Sequence, residues 1–251
     1  KKIIKLKIKF CDFYQKYDEY IVFLCSKSSF SLRAPSNIVS KFYKQNILIE
    51  EKNNDDIKVA SSYFFYSKYR LLYQFYDSYK FINLEKRYTH LRKIDISMCF
   101  SSIYTHTVSW AIKGKEVAKS QRNAFNFESE FDCLMQRSNY KETAGILVGP
   151  EISRIFAEII FQRIDLNIEK NLKEKKLILY EDYEIYRYVD DIFIFSNSLQ
   201  TIEKIQSIIQ QELEPYRLFL NNEKTADYTT PFTSDISGVC EILSVNSQHS
   251  R

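Results

Sequence analysis

The sequence predicts an α+β fold, an antiparallel sheet with helices packed on one face, and three stretches carry that expectation. Residues 186–195 read as two short β-prone runs, YRYV and IFIF, separated by Asp190 and Asp191. Polar residues between aromatic and β-branched runs signal a hairpin. Ile152, Ile155, Phe156, Ile159 and Ile160 recur at helical spacing, as do Leu199, Ile202, Ile205, Ile208 and Ile209. The order strand, helix, hairpin, helix favours an α+β arrangement.

The remaining elements follow along the chain. Its 251 residues suit one large domain or two closely packed subdomains, and 45% hydrophobic content is enough for a real core. Residues 53–56 form a polar break, expected as a surface loop. Residues 61–81 hold many Tyr, Phe, Lys and Arg and no Gly or Pro, which permits a long helix with aromatics on several faces. Residues 93–97 read as a short strand entering a turn. Gly145, Gly149 and Pro150 then cluster ahead of the first periodic helix, where Pro150 suits the first turn and Glu151 the positive end of the dipole. After Thr225 a short further strand pair is expected. The sequence has no repeats and no low-complexity linker.

Charge is unevenly spread. Through Lys93 there are 19 Lys and Arg against 9 Asp and Glu; beyond it, 17 against 23. A basic first third attracts phosphates and an acidic remainder suits metal cations, although an uneven solvated surface accounts for the same asymmetry. Five scattered cysteines without a CxxC pair, and only three histidines, argue against a zinc site and fit a reducing cytoplasm. No apolar run approaches a membrane span, so no membrane partner is expected. The chain opens on Lys1 rather than Met, which is read as a trimmed start.

The sharpest chemical feature is YVDD, residues 188–191. Two adjacent carboxylates within an apolar hairpin are costly unless solvated, paired or metal-bound. Nucleotidyl transfer gives a reason for them, because two Mg²⁺ ions need oxygen ligands at close range. An ordinary turn with two surface aspartates is the alternative for this motif alone. IDISMCF, residues 94–100, supplies a third carboxylate at a strand end and an aromatic five residues later.

Together with YVDD, that segment resembles the palm of reverse transcriptases. GILVGPEIS at 145–153 is similar to the family's nucleotide-holding loop and helix, and LNNEKT at 220–225 to the segment whose lysine approaches pyrophosphate. The resemblance runs from about Arg92 to Thr225. It implies a right-hand polymerase, with a fingers-like region at 1–90, a palm-like catalytic region at 91–251 and no recognisable thumb in the chain. A thumb in a further C-terminal portion or a partner's contribution is then expected.

The implied reaction is attack of a primer hydroxyl on the α-phosphate of a dNTP, releasing pyrophosphate. Asp95, Asp190 and Asp191, with Ile96 beside them, are the implied ligands of two Mg²⁺ ions, and Lys224 is a further catalytic residue. Phe100 falls at the steric-gate position that rejects a 2′-hydroxyl, its alternative being a core aromatic. Gly145, Val148, Gly149 and Tyr188 complete the nucleotide-binding set, and two of only four glycines placed here suit close backbone approach to a ligand.

The expected partners are dNTPs, an RNA template or associated non-coding RNA, a DNA product, and a second copy or a partner protein. The rivals are a catalytically silent polymerase-like scaffold that binds RNA or protein, and an RNA-dependent RNA polymerase, against which Phe100 argues. The chain departs from many relatives in having Leu147, Val148 and Gly149 where they carry Pro-Gln-Gly. SSIYTHTVSWAIKGKEVAK at 101–119 and GILVGPEISRIFAEII at 145–160 resemble bacterial reverse transcriptases of the abortive-infection and antiphage-defence groups. That subgroup, with Val148 in place of Gln, motivates the expectation of DNA of restricted sequence, against ordinary copying of a dedicated RNA with Val148 packing the loop.

Arg33, Lys68, Arg70 and Arg154 are weaker candidates for nucleic-acid or triphosphate contact. The aromatics at 63–66 beside Lys68 and Arg70 suit stacking on a strand, but core packing explains them equally well. Arg33 beside Pro35 also reads as a surface turn, and Arg154 as half of a helix-surface salt bridge. Cys99 reads as a small buried hydrophobe, and His106 carries no assigned chemistry.

Overall fold

A computed structural model describes residues 2–38, 63–66, 68–120 and 126–232. Along the chain run α1 (Lys2–Leu24), β1 (Pro35–Ile38), β2 (Phe64–Tyr66), α2 (Leu72–Tyr76), α3 (Tyr79–Arg87), β3 (His90–Ser97), α4 (Cys99–Ser102), α5 (Thr107–Lys113) and α6 (Lys115–Ser120). They are followed by α7 (Phe127–Ser138), α8 (Glu151–Glu174), β4 (Tyr183–Tyr188), β5 (Asp191–Ser196), α9 (Leu199–Leu213), a 3-10 turn (Glu214–Tyr216) and β6 (Phe219–Thr229). The expected strand near 93, the hairpin and both periodic helices are present. The loop expected at 53–56 and most of the strand pair expected after Thr225 lie outside the described residues.

Two compact units are assembled from interleaved segments, one from residues 1–28, 33–68 and 100–163, the other from 29–32, 69–99 and 164–251. The second unit holds an antiparallel sheet in the order β4-β5-β3-β6. Strand alternation sorts its side chains. Leu91, Lys93 and Asp95 stand opposite Phe195, Phe193 and Asp191, which in turn stand opposite Glu184, Tyr186 and Tyr188. The other face carries Ile94, Ile192, Ile194, Ile185 and the buried Arg187.

On this second face Arg92 donates to Gln206 of α9 at 2.7 Å, and Arg187 is ion-paired with Asp165 of α8 at 2.8 Å. The helical periodicity of α9 is therefore the imprint of this contact, with Ile202, Ile205, Ile208 and Ile209 all buried. The expectation of helices on one face needs an addition. Short helices α2 and α3 cover part of the opposite face, where Phe75 lies 5.7 Å from Phe193 and Phe81 lies 6.0 Å from Phe195, ring to ring. Each such ring removed from water contributes roughly 1.5–3 kcal/mol.

A single long helix over 61–81 does not form. Phe64–Tyr66 is a strand paired with Pro35–Ile38, and the helical part is broken into α2 and α3 at Asp77 and Ser78. The Ser78 hydroxyl accepts from the Phe81 amide at 3.2 Å and caps α3. Absence of Gly and Pro permits a helix, but a Tyr/Phe run is at least as well suited to a pleated, half-buried strand.

In the first unit, aromatic residues tie α1 to α7: the Phe13 ring lies 4.7 Å from Phe131 and 5.6 Å from Phe127. Phe131 also meets Phe156 of α8 edge-on at 4.9 Å. Among the described residues no helix is long and apolar enough to cross a membrane. Cys99 and Cys133 are free thiols.

Candidate active site

Asp95 is the last register partner of Asp191 along the β3–β5 ladder, and the Ile96 amide extends the pairing by donating to the Asp190 carbonyl at 3.2 Å. One backbone ladder thus brings a carboxylate from β3 beside two from the hairpin. Tyr188, Asp191, Asp95 and Asn221 form one row across all four strands at this end of the sheet.

Like charges directly opposite on a sheet repel, and two lysines offset the repulsion. Lys93 Nζ lies 3.2 Å from Asp191 Oδ1, and Lys224 Nζ lies 3.4 Å from Asp95 Oδ2, which also accepts from Asn221 Nδ2 at 3.3 Å. Lys224 is not in a loop, as its polar neighbours imply. It belongs to β6, where the register slips between Lys93 and Asp95 and leaves residues 222–225 opposite Ile94 alone. Bulges of this kind re-aim side chains, and this one puts Lys224 against Asp95.

Burial holds the Asp190 carboxyl above its ordinary value, with Asp191 and Asp95 pushing the same way and the residue's own backbone hydrogen bond and Lys224 opposing. Burial likewise raises Asp191, with Asp95 adding to it and Lys93 acting against it. Partial burial, oxygen donors and surplus negative charge fit a hard divalent cation. Among the described residues no group of three or more His, Cys, Asp or Glu side chains converges on a single point. As placed, Asp95 and Asp191 are engaged by lysines.

The hairpin turn carries strain. Val189 has φ of 59°, a left-handed conformation that a β-branched residue rarely adopts. Its carbonyl accepts from Arg187 at 3.2 Å, and the same guanidinium is held by both oxygens of Asp165. The Arg187 backbone pairs with a neighbouring segment as well, donating to the Phe30 carbonyl and accepting from the Leu32 amide, each at 2.8 Å. Nothing in the sequence singles out Asp165, since its partner lies 22 positions away. Tyr188 is fixed by a hydrogen bond from its hydroxyl to the Arg70 carbonyl at 2.8 Å. Cys99 is buried, and burial pushes its thiol far above the usual range.

The other sequence candidates belong to the first unit. Phe100 is half-buried rather than sealed in the core, and its carbonyl accepts from the Ile146 amide at 2.8 Å. Gly145 has φ of 83°, and a Cβ there would lie 3.0 Å from the Ser101 carbonyl oxygen, so only glycine fits. Gly149 has φ of 107° with open space around it, and Val148 is 77% exposed, so Val148 does not pack the loop. Arg33 lies over the Tyr66 ring at 5.0 Å. Tyr66 and the Tyr63 amide donate to Glu151 at 2.8 and 2.9 Å, which ties β2 to the start of α8. The Arg154 Nε is buried without a hydrogen-bond partner, and Lys68 is exposed. The structure therefore brings together Asp95, Asp190, Asp191 and Lys224, and separately Phe100 with the irregular 145–146 segment.

Residues 23–242 match the sequence profile of the family described as reverse transcriptase (RNA-dependent DNA polymerase). The chain belongs to that family. No curated protein sequence matches it. Among solved structures it is similar to telomerase from Candida tropicalis in complex with a TWJ fragment of telomeric RNA, with TM-score 0.50 and 18% identity over 88% of this chain and 33% of that one. It is also similar to an apo telomerase from Candida tropicalis truncated from the C-terminal domain, with TM-score 0.46 and 20% identity over 64% of this chain and 36% of that one. The first likeness is one of fold alone, and this chain spans about a third of the length of those telomerase chains.

Proposed function

We propose that this protein is a reverse transcriptase-type DNA polymerase that adds dNTPs to a primer 3′-hydroxyl or a protein hydroxyl by a two-metal mechanism, in bacterial antiphage defence. The observation that carries the catalytic part is the register pairing of Asp95 with Asp191, with Asp190 in the adjoining turn. Asp95, Asp190, Asp191 and the backbone of Ile96 would hold two Mg²⁺ ions. Bound there, the ions supply Lewis-acid stabilisation of the attacking and departing oxygens.

The chain's own residues do the rest. Lys224 brings a cation and a transferable proton toward the departing pyrophosphate. Tyr188, anchored on Arg70, and the backbone at Gly145 and Gly149 position the nucleotide. Phe100 screens the sugar, and Arg33, Lys68, Arg70 and Arg154 contact triphosphate or nucleic-acid backbone. In this reading residues 1–90 act as fingers and 91–251 as palm, with an RNA, a second copy or a protein partner completing the machine in the cytoplasm.

Phe100→Ala is expected to raise the ratio of rNTP to dNTP incorporation about tenfold or more, since a lost ring leaves room for a 2′-hydroxyl. An unchanged ratio would reduce Phe100 to a packing residue.

The defence assignment rests on the resemblance of residues 101–119 and 145–160, and the exposure of Val148 suits a loop that meets its ligand without a pairing amide. DNA of restricted sequence is therefore the expected product. Sequencing the products made from each dNTP alone and from all four, before and after ribonuclease treatment, tests it. Products that follow any added RNA at all four bases would contradict restricted synthesis, and products complementary to one bound RNA would indicate a dedicated template.

A further inference from the structure

The unit built from residues 1–28, 33–68 and 100–163 contains a pocket of about 410 Å³ among α5, α6 and α7, within the size range of small-ligand sites. Trp110, the one tryptophan of the sequence, lines it together with Tyr104, their ring centroids 6.0 Å apart. A polar wall is contributed by α7. There Asp132 meets His106 Nδ1 through Oδ2 and accepts from Gln136 Nε2 through Oδ1 at 2.8 Å. Glu128, ion-paired with Lys113, lies beside it, and the two acids are 4% and 9% exposed. Lys119 reaches the same pocket from the exposed side of α6.

Two half-buried aromatic rings that line the pocket, fixed carboxylates and a cation are parts suited to holding a nucleotide. An aromatic ring stacks any base, and a lysine meets its phosphate. A carboxylate has about four acceptor sites, so Asp132 retains acceptors after satisfying His106 and Gln136. Such a wall favours a base edge with adjacent N–H donors. Guanine presents two of them, whereas the carbonyl oxygens of uracil face the carboxylate unfavourably. We propose that this pocket binds one nucleotide unit, its base against Trp110 and Tyr104 and its phosphate toward Lys119, with guanine preferred over uracil. The unit comes either free or as an unpaired nucleotide of a bound RNA strand, and the two sources share this chemistry.

Because Trp110 is the one tryptophan, its fluorescence, excited to the red of tyrosine absorption and corrected for absorption by the nucleotide, reports on this site. The full chain is titrated in metal-free buffer with GMP, with UMP, and with an adenosine heptamer carrying one central guanosine. GMP or the heptamer is expected to quench Trp110 saturably, with guanine binding about tenfold tighter than uracil. Lys119→Ala, an exposed change checked for folding by circular dichroism, should weaken binding several-fold. Asp190→Asn should leave it unchanged, so this site and the aspartate centre stand or fall separately. Tighter binding of the heptamer identifies a strand as the source, and GMP at least as tight identifies a free nucleotide. No quenching by either probe at millimolar concentration, equal quenching by GMP and UMP, or indifference to Lys119→Ala overturns the proposal.

Discussion

Asp190→Asn is expected to reduce nucleotide addition on the order of a thousandfold or more and to leave the apo fold no less stable than wild type. The two outcomes share one cause. Asp190 and Asp191 are held above their ordinary value of 3.8, chiefly by burial. A group whose folded pKa exceeds its unfolded one contributes stability that is fully present below the unfolded value and lost as pH rises through the folded value. At neutral pH both carboxylates therefore work against the metal-free fold. Wild type should gain stability as pH falls from 7 into the window between the raised values and 3.8, and Asp190→Asn should gain less. Urea unfolding at the two ends of that window, without metal, measures the difference. A variant that is both inactive and much less stable would assign Asp190 a structural role.

Arg187→Ala is expected to cost about 3–5 kcal/mol, the usual penalty for stranding one partner of a buried pair. Arg187 and Asp165 have side chains 1% and 4% exposed, so water cannot take over the lost hydrogen bonds. Replacing both, as Arg187→Met with Asp165→Leu, should recover much of the stability because no charge is left unpaired. It should not recover full activity, because the hydrogen bond to the Val189 carbonyl that holds the strained turn is still missing. Denaturant midpoints for the single and double variants, with incorporation rates alongside, separate the two contributions. A single variant that unfolds within about 1 kcal/mol of wild type would mean that the pair is not buried in solution.

The sequence made the catalytic end of the sheet legible because its signals are local. YRYV and IFIF are β-prone runs on either side of two aspartates, and residues 199–209 repeat at helical spacing because one face of α9 rests on the sheet. The stretch at 61–81 was not legible in the same way. Its aromatics suit strand and helix alike, and the choice is made by pairing with Pro35–Ile38 and by the cap at Ser78. Lys224 reads as a loop residue because Asn221, Asn222 and Glu223 are polar, yet an edge strand with a bulge tolerates that composition. Asp165 and the His106–Asp132 contact depend on partners more than 20 positions away, which periodicity does not reveal. The roles drawn for Phe100 and Val148 rest on family resemblance, and those of Lys68 and Arg70 on cations beside aromatic rings, a pattern that core packing shares.

The central claim is that Asp95 on β3 and Asp190 and Asp191 on the hairpin act as one centre. Its most direct test is the single-turnover rate of dNMP incorporation with Mg²⁺ for wild type, Asp95→Asn, Asp190→Asn and the double variant. Residues that act as a unit are non-additive, so each single change should abolish most of the rate and the double variant should be no worse than either. Asp95→Asn incorporating within a few-fold of wild type, or losses that multiply in the double variant, would contradict it.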